Sequence, residues 1–123
     1  MKNMPNKRMA LWCSVFCICL MFACKNVEPY PDTLLRIDSL TIHHSDSALY
    51  MLNLLDDFMP TQSEEIRMYH CLLKAKAIEG CHKPHTSDSL MKPVATYYQK
   101  NGPPDKLLEA YSLLACVSRD LND

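Results

Sequence analysis

Glycine is nearly missing from this chain, with only Gly80 and Gly102 among 123 residues. Two glycines cannot build the glycine-rich loops that cradle phosphates, which argues against nucleotide-handling folds. No Cys-x₂-Cys pair occurs, so zinc-ribbon and dithiol-redox motifs are excluded. No stretch sustains the apolar–polar alternation of a half-buried strand. No excess of positive charge exists: thirteen Lys and Arg face fourteen Asp and Glu, so the electrostatic footprint of a nucleic-acid binder is lacking. Nothing marks a nucleophile–base pair with an orienting residue or an oxyanion loop, and the expectation is a chain that is not an enzyme.

What is present starts at the N-terminus. Lys2, Lys7 and Arg8 form a short positive region, and 9–23 is then almost wholly apolar, with Ser14 the only clearly polar residue. As a helix those fifteen residues would reach about 22 Å. A membrane span takes about 20 apolar residues, so the run has the length of a signal-peptide core instead. It ends in Met21-Phe22-Ala23-Cys24, which resembles a bacterial lipobox. Ala23 fits the small position, whereas Met21 departs from the usual leucine, although Leu20 is one place away. The resemblance implies cleavage after residue 23 and lipid attachment at Cys24. Acyl chains contribute about 0.8 kcal/mol per buried methylene, and two or more give stable anchoring. The expected organisation is a signal peptide at 1–23, a tether at 24–31 and a helical domain at 32–123. The implied location is the cell envelope, with membrane lipid as the first partner.

Without Lys2, Lys7 and Arg8 the mature chain has ten basic and fourteen acidic side chains, a formal charge of −4. It keeps Cys71, Cys81 and Cys116. Cys71 with Cys81 is the local candidate for a bridge, but the spacing shows no disulfide framework. All three read most simply as small apolar core residues.

Beyond the tether every segment reads as helix. Asp32 opens a first helix to about 42, with Leu34, Leu35, Ile37, Leu40 and Ile42 as its apolar face. His43-His44-Ser45 is a turn, and a second helix runs to about 58, ended by Pro60. Thr61 or Ser63 caps a third, whose stripe is Ile66, Tyr69, Leu73 and Ala77, widened by Met68 and Leu72. Gly80 and Gly102 each stand where a helix end favours a left-handed residue. A fourth helix opens at Ser87 or Asp88, with Leu90, Met91, Val94, Ala95, Tyr97 and Tyr98 on its face. Pro93 predicts either a kink or a start near Pro93 itself. Asp105 caps a fifth helix, with Leu107, Leu108, Tyr111, Leu114 and Leu121 inward. The fold class is all-α, stacked antiparallel helix hairpins.

Tyr111-Ser112-Leu113-Leu114-Ala115-Cys116-Val117-Ser118 resembles the first-helix pattern of a tetratricopeptide repeat, aromatic-x₂-Leu-small-x₂-aromatic. Tyr111, Leu114 and Ala115 take its packing positions, and Ser118 departs from the aromatic. Tyr69 to Leu73 is a weaker echo. Ala95 and Tyr98 followed by Pro103-Pro104 look like a second helix and its closing proline. The chain thus resembles the N-terminal part of lipoprotein-anchored tetratricopeptide-repeat proteins of Gram-negative bacteria. The resemblance implies a solenoid fragment, incomplete at its C-terminus, that serves as a non-enzymatic scaffold for an unknown protein or peptide. An alternative is a truncated sensory ectodomain of a membrane-bound helix-turn-helix regulator, and a weaker one is a metal-binding or redox protein. His70, Cys71, Cys81, His82 and His85 are the only suggestive cluster. His82 and His85 fall in a polar loop some ten residues from His70 and Cys71, so no metal and no cofactor are expected. The last helix carries apolar residues on more than one side, which predicts self-association through it.

Overall fold

A computed structural model describes residues 30–122. The predicted signal peptide, most of the tether and Cys24 lie outside the described residues. Those described form five α-helices and one 3₁₀ segment, with no strand among them. The all-α expectation is met. The helices are α1 (Asp32–His43), α2 (Ser45–Leu54), α3 (Glu64–Gly80), α4 (Met91–Asn101) and α5 (Pro104–Asn122), and the 3₁₀ segment is Asp56–Thr61.

Helix α3 is the hub. It packs against α1, α2, α4 and α5, while α1 pairs with α2 and α4 with α5. Tyr69, His70, Leu72, Leu73, Ala75 and Ala77 are all buried along it. At 100° per residue these positions cover most of the circumference, as a helix enclosed by four others requires. Of the two expected caps, Thr61 and Ser63, it is Ser63 that starts it: the Ile66 N–H donates to Ser63 Oγ at 3.3 Å, and Glu64 and Glu65 in the first turn complement the helix dipole.

Several boundaries differ from the sequence reading for identifiable reasons. Helix α2 ends at Leu54 and the chain tightens into the 3₁₀ segment. Pro60 lies inside that segment, where its ring denies the α-helical bond back to residue 56. Helix α4 opens at Met91. Pro93 therefore sits in the first turn, where a missing N–H leaves no bond unmade, and no kink is needed. Pro104 itself is the first residue of α5, with Asp105 inside the first turn.

Neither glycine is left-handed. Helix α3 is closed by His82, the one described non-glycine residue with positive φ, at 55°. The Lys83 N–H donates to Ile78 O at 3.2 Å and the His82 N–H to Glu79 O at 3.0 Å. This is a Schellman closure with histidine in the usual glycine position. Gly80 serves a close approach instead: a Cβ there would lie 2.1 Å from Ser45 Oγ. The absent side chain lets the end of α3 press on the α1–α2 junction.

Helix α5 is rotated relative to its predicted face. Ala110, Leu113 and Val117 point inward. Of the residues expected inside, Leu107 and Leu114 are half-buried and Leu108, Tyr111 and Leu121 are exposed. Ile42, expected on the inner face of α1, is exposed as well, and Thr41 is buried in its place.

Candidate interaction surface

A polar network joins α5 to α1 and α3. Asp38 on α1 accepts hydrogen bonds from Tyr69 Oη and from Lys76 Nζ, both at 2.6 Å and both from α3. Lys106 Nζ of α5 lies 3.8 Å from Asp38 and 3.7 Å from Glu109, and Lys76 lies 3.5 Å from Glu109. The Tyr69 ring stacks on Tyr30 at 4.0 Å, and the Lys106 ammonium stands 5.1 Å from the Tyr69 ring centroid. Three helices are thus tied through one carboxylate. Burial alone would raise the Asp38 pKa, but hydrogen bonds from Lys76 and Tyr69 outweigh it and hold the carboxyl below its ordinary range. Burial, then the hydrogen bond to Asp38, pushes the Tyr69 hydroxyl far up. Nothing in the sequence singled Asp38 out; Tyr69 was legible only as a core aromatic.

With α5 held this way, its outer side carries an apolar ridge. Leu108 is 69% exposed, and Tyr111 and Leu121 are each 45% exposed. Taken round the helix at 100° per residue, Leu121, Leu114, Leu107, Ser118, Tyr111, Ala115 and Leu108 span about 140°. From Leu107 to Leu121 the ridge runs about 21 Å. The repeat-pattern residues are all on it: Tyr111 and Ala115 exposed, Leu114 half-buried. Leu114 packs against the edge of the core, while Tyr111 and Ala115 face solvent. A second exposed apolar row, Tyr50, Leu54 and Phe58, follows α2 into the 3₁₀ segment. Isolated exposed leucines are ordinary, whereas a contiguous exposed ridge is a candidate interaction surface.

The histidines and cysteines do not form one cluster. His70 Nε2 donates to Leu52 O at 2.9 Å and satisfies a carbonyl at the end of α2. Its ring also lies 3.4 Å from Asp56, which Lys74 grips at 2.7 Å. This part of the predicted cluster is structural. Cys71, Cys81 and Cys116 are free and half-buried, and burial pushes the Cys71 thiol up, away from the thiolate. His82 closes α3, and His85 turns inward toward Glu79. No helix among the described residues is long and apolar enough to cross a membrane. Comparison with protein-family models, with curated proteins and with solved structures found no match.

Proposed function

We propose that this chain is a membrane-tethered, non-enzymatic interaction module of tetratricopeptide-repeat type, held in the cell envelope by lipid on Cys24. Its α5 ridge receives an amphipathic helix from a protein partner. The observation that carries this reading is the ridge itself, with Leu108, Tyr111 and Leu121 turned to solvent beside the half-buried Leu107 and Leu114. A helix laid along it would bury anchors at i, i+3, i+4 and i+7. Burial of each large anchor contributes roughly 1.5–3 kcal/mol, and about 21 Å of ridge accommodates four turns of a partner. The resemblance of 111–118 to the repeat pattern supports the same reading, because that pattern places the residues by which one repeat helix packs on the next. The short apolar leader and Ala23-Cys24 support the anchor.

Two measurements test this. Incorporation of labelled palmitate should be lost in Cys24→Ala; incorporation that persists in that variant refutes the anchor. Separately, without a partner the ridge should make the mature chain self-associate in sedimentation equilibrium. Leu108→Glu with Tyr111→Glu should return it to monomer without loss of helical circular dichroism. A chain that is monomeric and of high, concentration-independent thermal stability with its ridge intact refutes the interaction reading.

A further inference from the structure

The loop between α3 and α4, residues 81–90, contains no helix or strand, yet one of its side chains is almost wholly enclosed. The His85 side chain is only 4% exposed. Its Nε2 donates to Glu79 Oε2 at 3.2 Å, and its backbone N–H donates to Asp120 Oδ2 at 3.0 Å. Glu79 comes from the last turn of α3 and Asp120 from the last turns of α5, so three separate segments converge.

Each carboxylate is divided between two neighbours. Arg119 Nη2 lies 3.4 Å from Glu79 Oε1 and 2.9 Å from Asp120 Oδ1. The other oxygen of each carboxylate faces His85. The guanidinium thus occupies one side of the carboxylates and His85 the other. One ligand atom from each of Glu79, His85 and Asp120 lies within 4.8 Å of the other two. A cleft of about 350 Å³, lined by Glu79, His82, Lys83, Pro84, Arg119 and Asp120, exposes the two carboxylates of this cluster to solvent, while the His85 ring lies behind them.

We propose that Glu79, His85 and Asp120 form a binding site for a divalent cation of the zinc class. The donor set is one imidazole nitrogen and two carboxylate oxygens, which suits zinc more than calcium or magnesium, whose sites take six or more oxygens. Three protein ligands leave one tetrahedral position for water, and the cleft supplies the room. At bonds of about 2.0–2.1 Å, tetrahedral ligand atoms stand about 3.3 Å apart. The donors therefore need to close by up to about 1.5 Å, a rotamer adjustment for two carboxylates at helix ends. Two carboxylates stand against the Arg119 guanidinium and the Lys83 ammonium in the same cleft wall, so the local formal charge is zero and the cation would be held by its donor atoms. On binding, a neutral His85 changes tautomer, its ring proton passing by exchange with solvent from Nε2 to Nδ1, so that the Nε2 lone pair is offered to the metal and the imidazole stays neutral. Arg119 then holds the outer oxygens as a positioning residue. The consequence is a clip joining α3, the loop and α5, the helix that bears the interaction ridge.

The test uses the full chain stripped of metal with chelator. Zinc should bind one ion per chain and raise the melting temperature, and cobalt should give the visible bands of a tetrahedral site. The His85 ring resonance should shift on zinc addition, a readout that needs no variant. His85→Gln, Glu79→Gln and Asp120→Asn should each weaken zinc binding roughly tenfold or more. The last two keep shape and remain informative if His85→Gln fails to fold. His43→Gln with His44→Gln should leave binding unchanged. An unmoved His85 resonance, or zinc binding that survives Glu79→Gln and Asp120→Asn at full strength, overturns the proposal.

Discussion

Replacing Gly80 with alanine probes how closely α3 approaches the α1–α2 junction. The added Cβ would lie 2.1 Å from Ser45 Oγ, 2.8 Å from Ser45 Cβ and 3.0 Å from Thr41 O. Ser45 is buried and its hydroxyl donates to Thr41 O at 2.8 Å. It opens α2, so neither its short side chain nor its backbone can swing aside. The end of α3 must back away from α1 and α2. Overpacking of this kind costs about 1–3 kcal/mol. Alanine recovers at most about 1 kcal/mol of helix propensity, and less at the last residue of the helix. The net expectation is a loss of about 1–2 kcal/mol. For a domain of this size each kcal/mol is about 4–8 °C, so the melting temperature should fall by roughly 5–15 °C. Urea denaturation should show a lower midpoint with an unchanged slope. In a Ser45→Gly background, which removes the two nearest atoms, the same substitution should cost less, with a coupling of about 1 kcal/mol. An alanine variant as stable as the parent in the unmodified background would refute the close-approach argument.

Three further outcomes follow from the same structure. His82→Gly should raise stability by roughly 0.5 kcal/mol, since a left-handed L-residue costs about 1–2 kcal/mol and glycine's extra unfolded-state freedom cancels part of the relief; a lower urea midpoint would contradict the role given to His82. Leu73→Ala should cost about 2–5 kcal/mol and Leu108→Ala less than about 0.5 kcal/mol, because Leu73 is fully enclosed and Leu108 is not; equal losses in calorimetry would mean the α5 face is misassigned. The folded pKa of Asp38 lies below its ordinary value of 3.8, so its contribution is whole above that value and is lost as pH falls through the lower folded value. Asp38→Asn should accordingly be less stable near neutrality and lose less on acidification than the parent, and parallel stability–pH curves would refute the link.

The helices themselves were legible because their causes are local. Apolar spacing of three and four and Ser63 ahead of two glutamates act within one or two turns, and each produced the helix it implied, whereas Pro60 fell inside the 3₁₀ segment that follows the early end of α2. The rest needed the neighbours. The α5 apolar residues occupy more than half its circumference, and periodicity cannot say which arc meets α4; Ala110, Leu113 and Val117 were chosen by packing. Gly80 was read as a left-handed stop, but its use comes from Ser45, a residue thirty-five positions away.

The sequence by itself thus determined the class of fold and the approximate place of every described helix, since helix formation is decided by residues a few positions apart. It could not determine which side of α5 faces solvent, why His82 and not a glycine closes α3, or that His85 meets Glu79 and Asp120. The pair of His85 with Asp120 spans thirty-five positions and that of Arg119 with Glu79 forty. Contacts at that separation exist only once α3 and α5 have packed side by side, so no local pattern encodes them. Both the ridge and the candidate metal site belong to that packing.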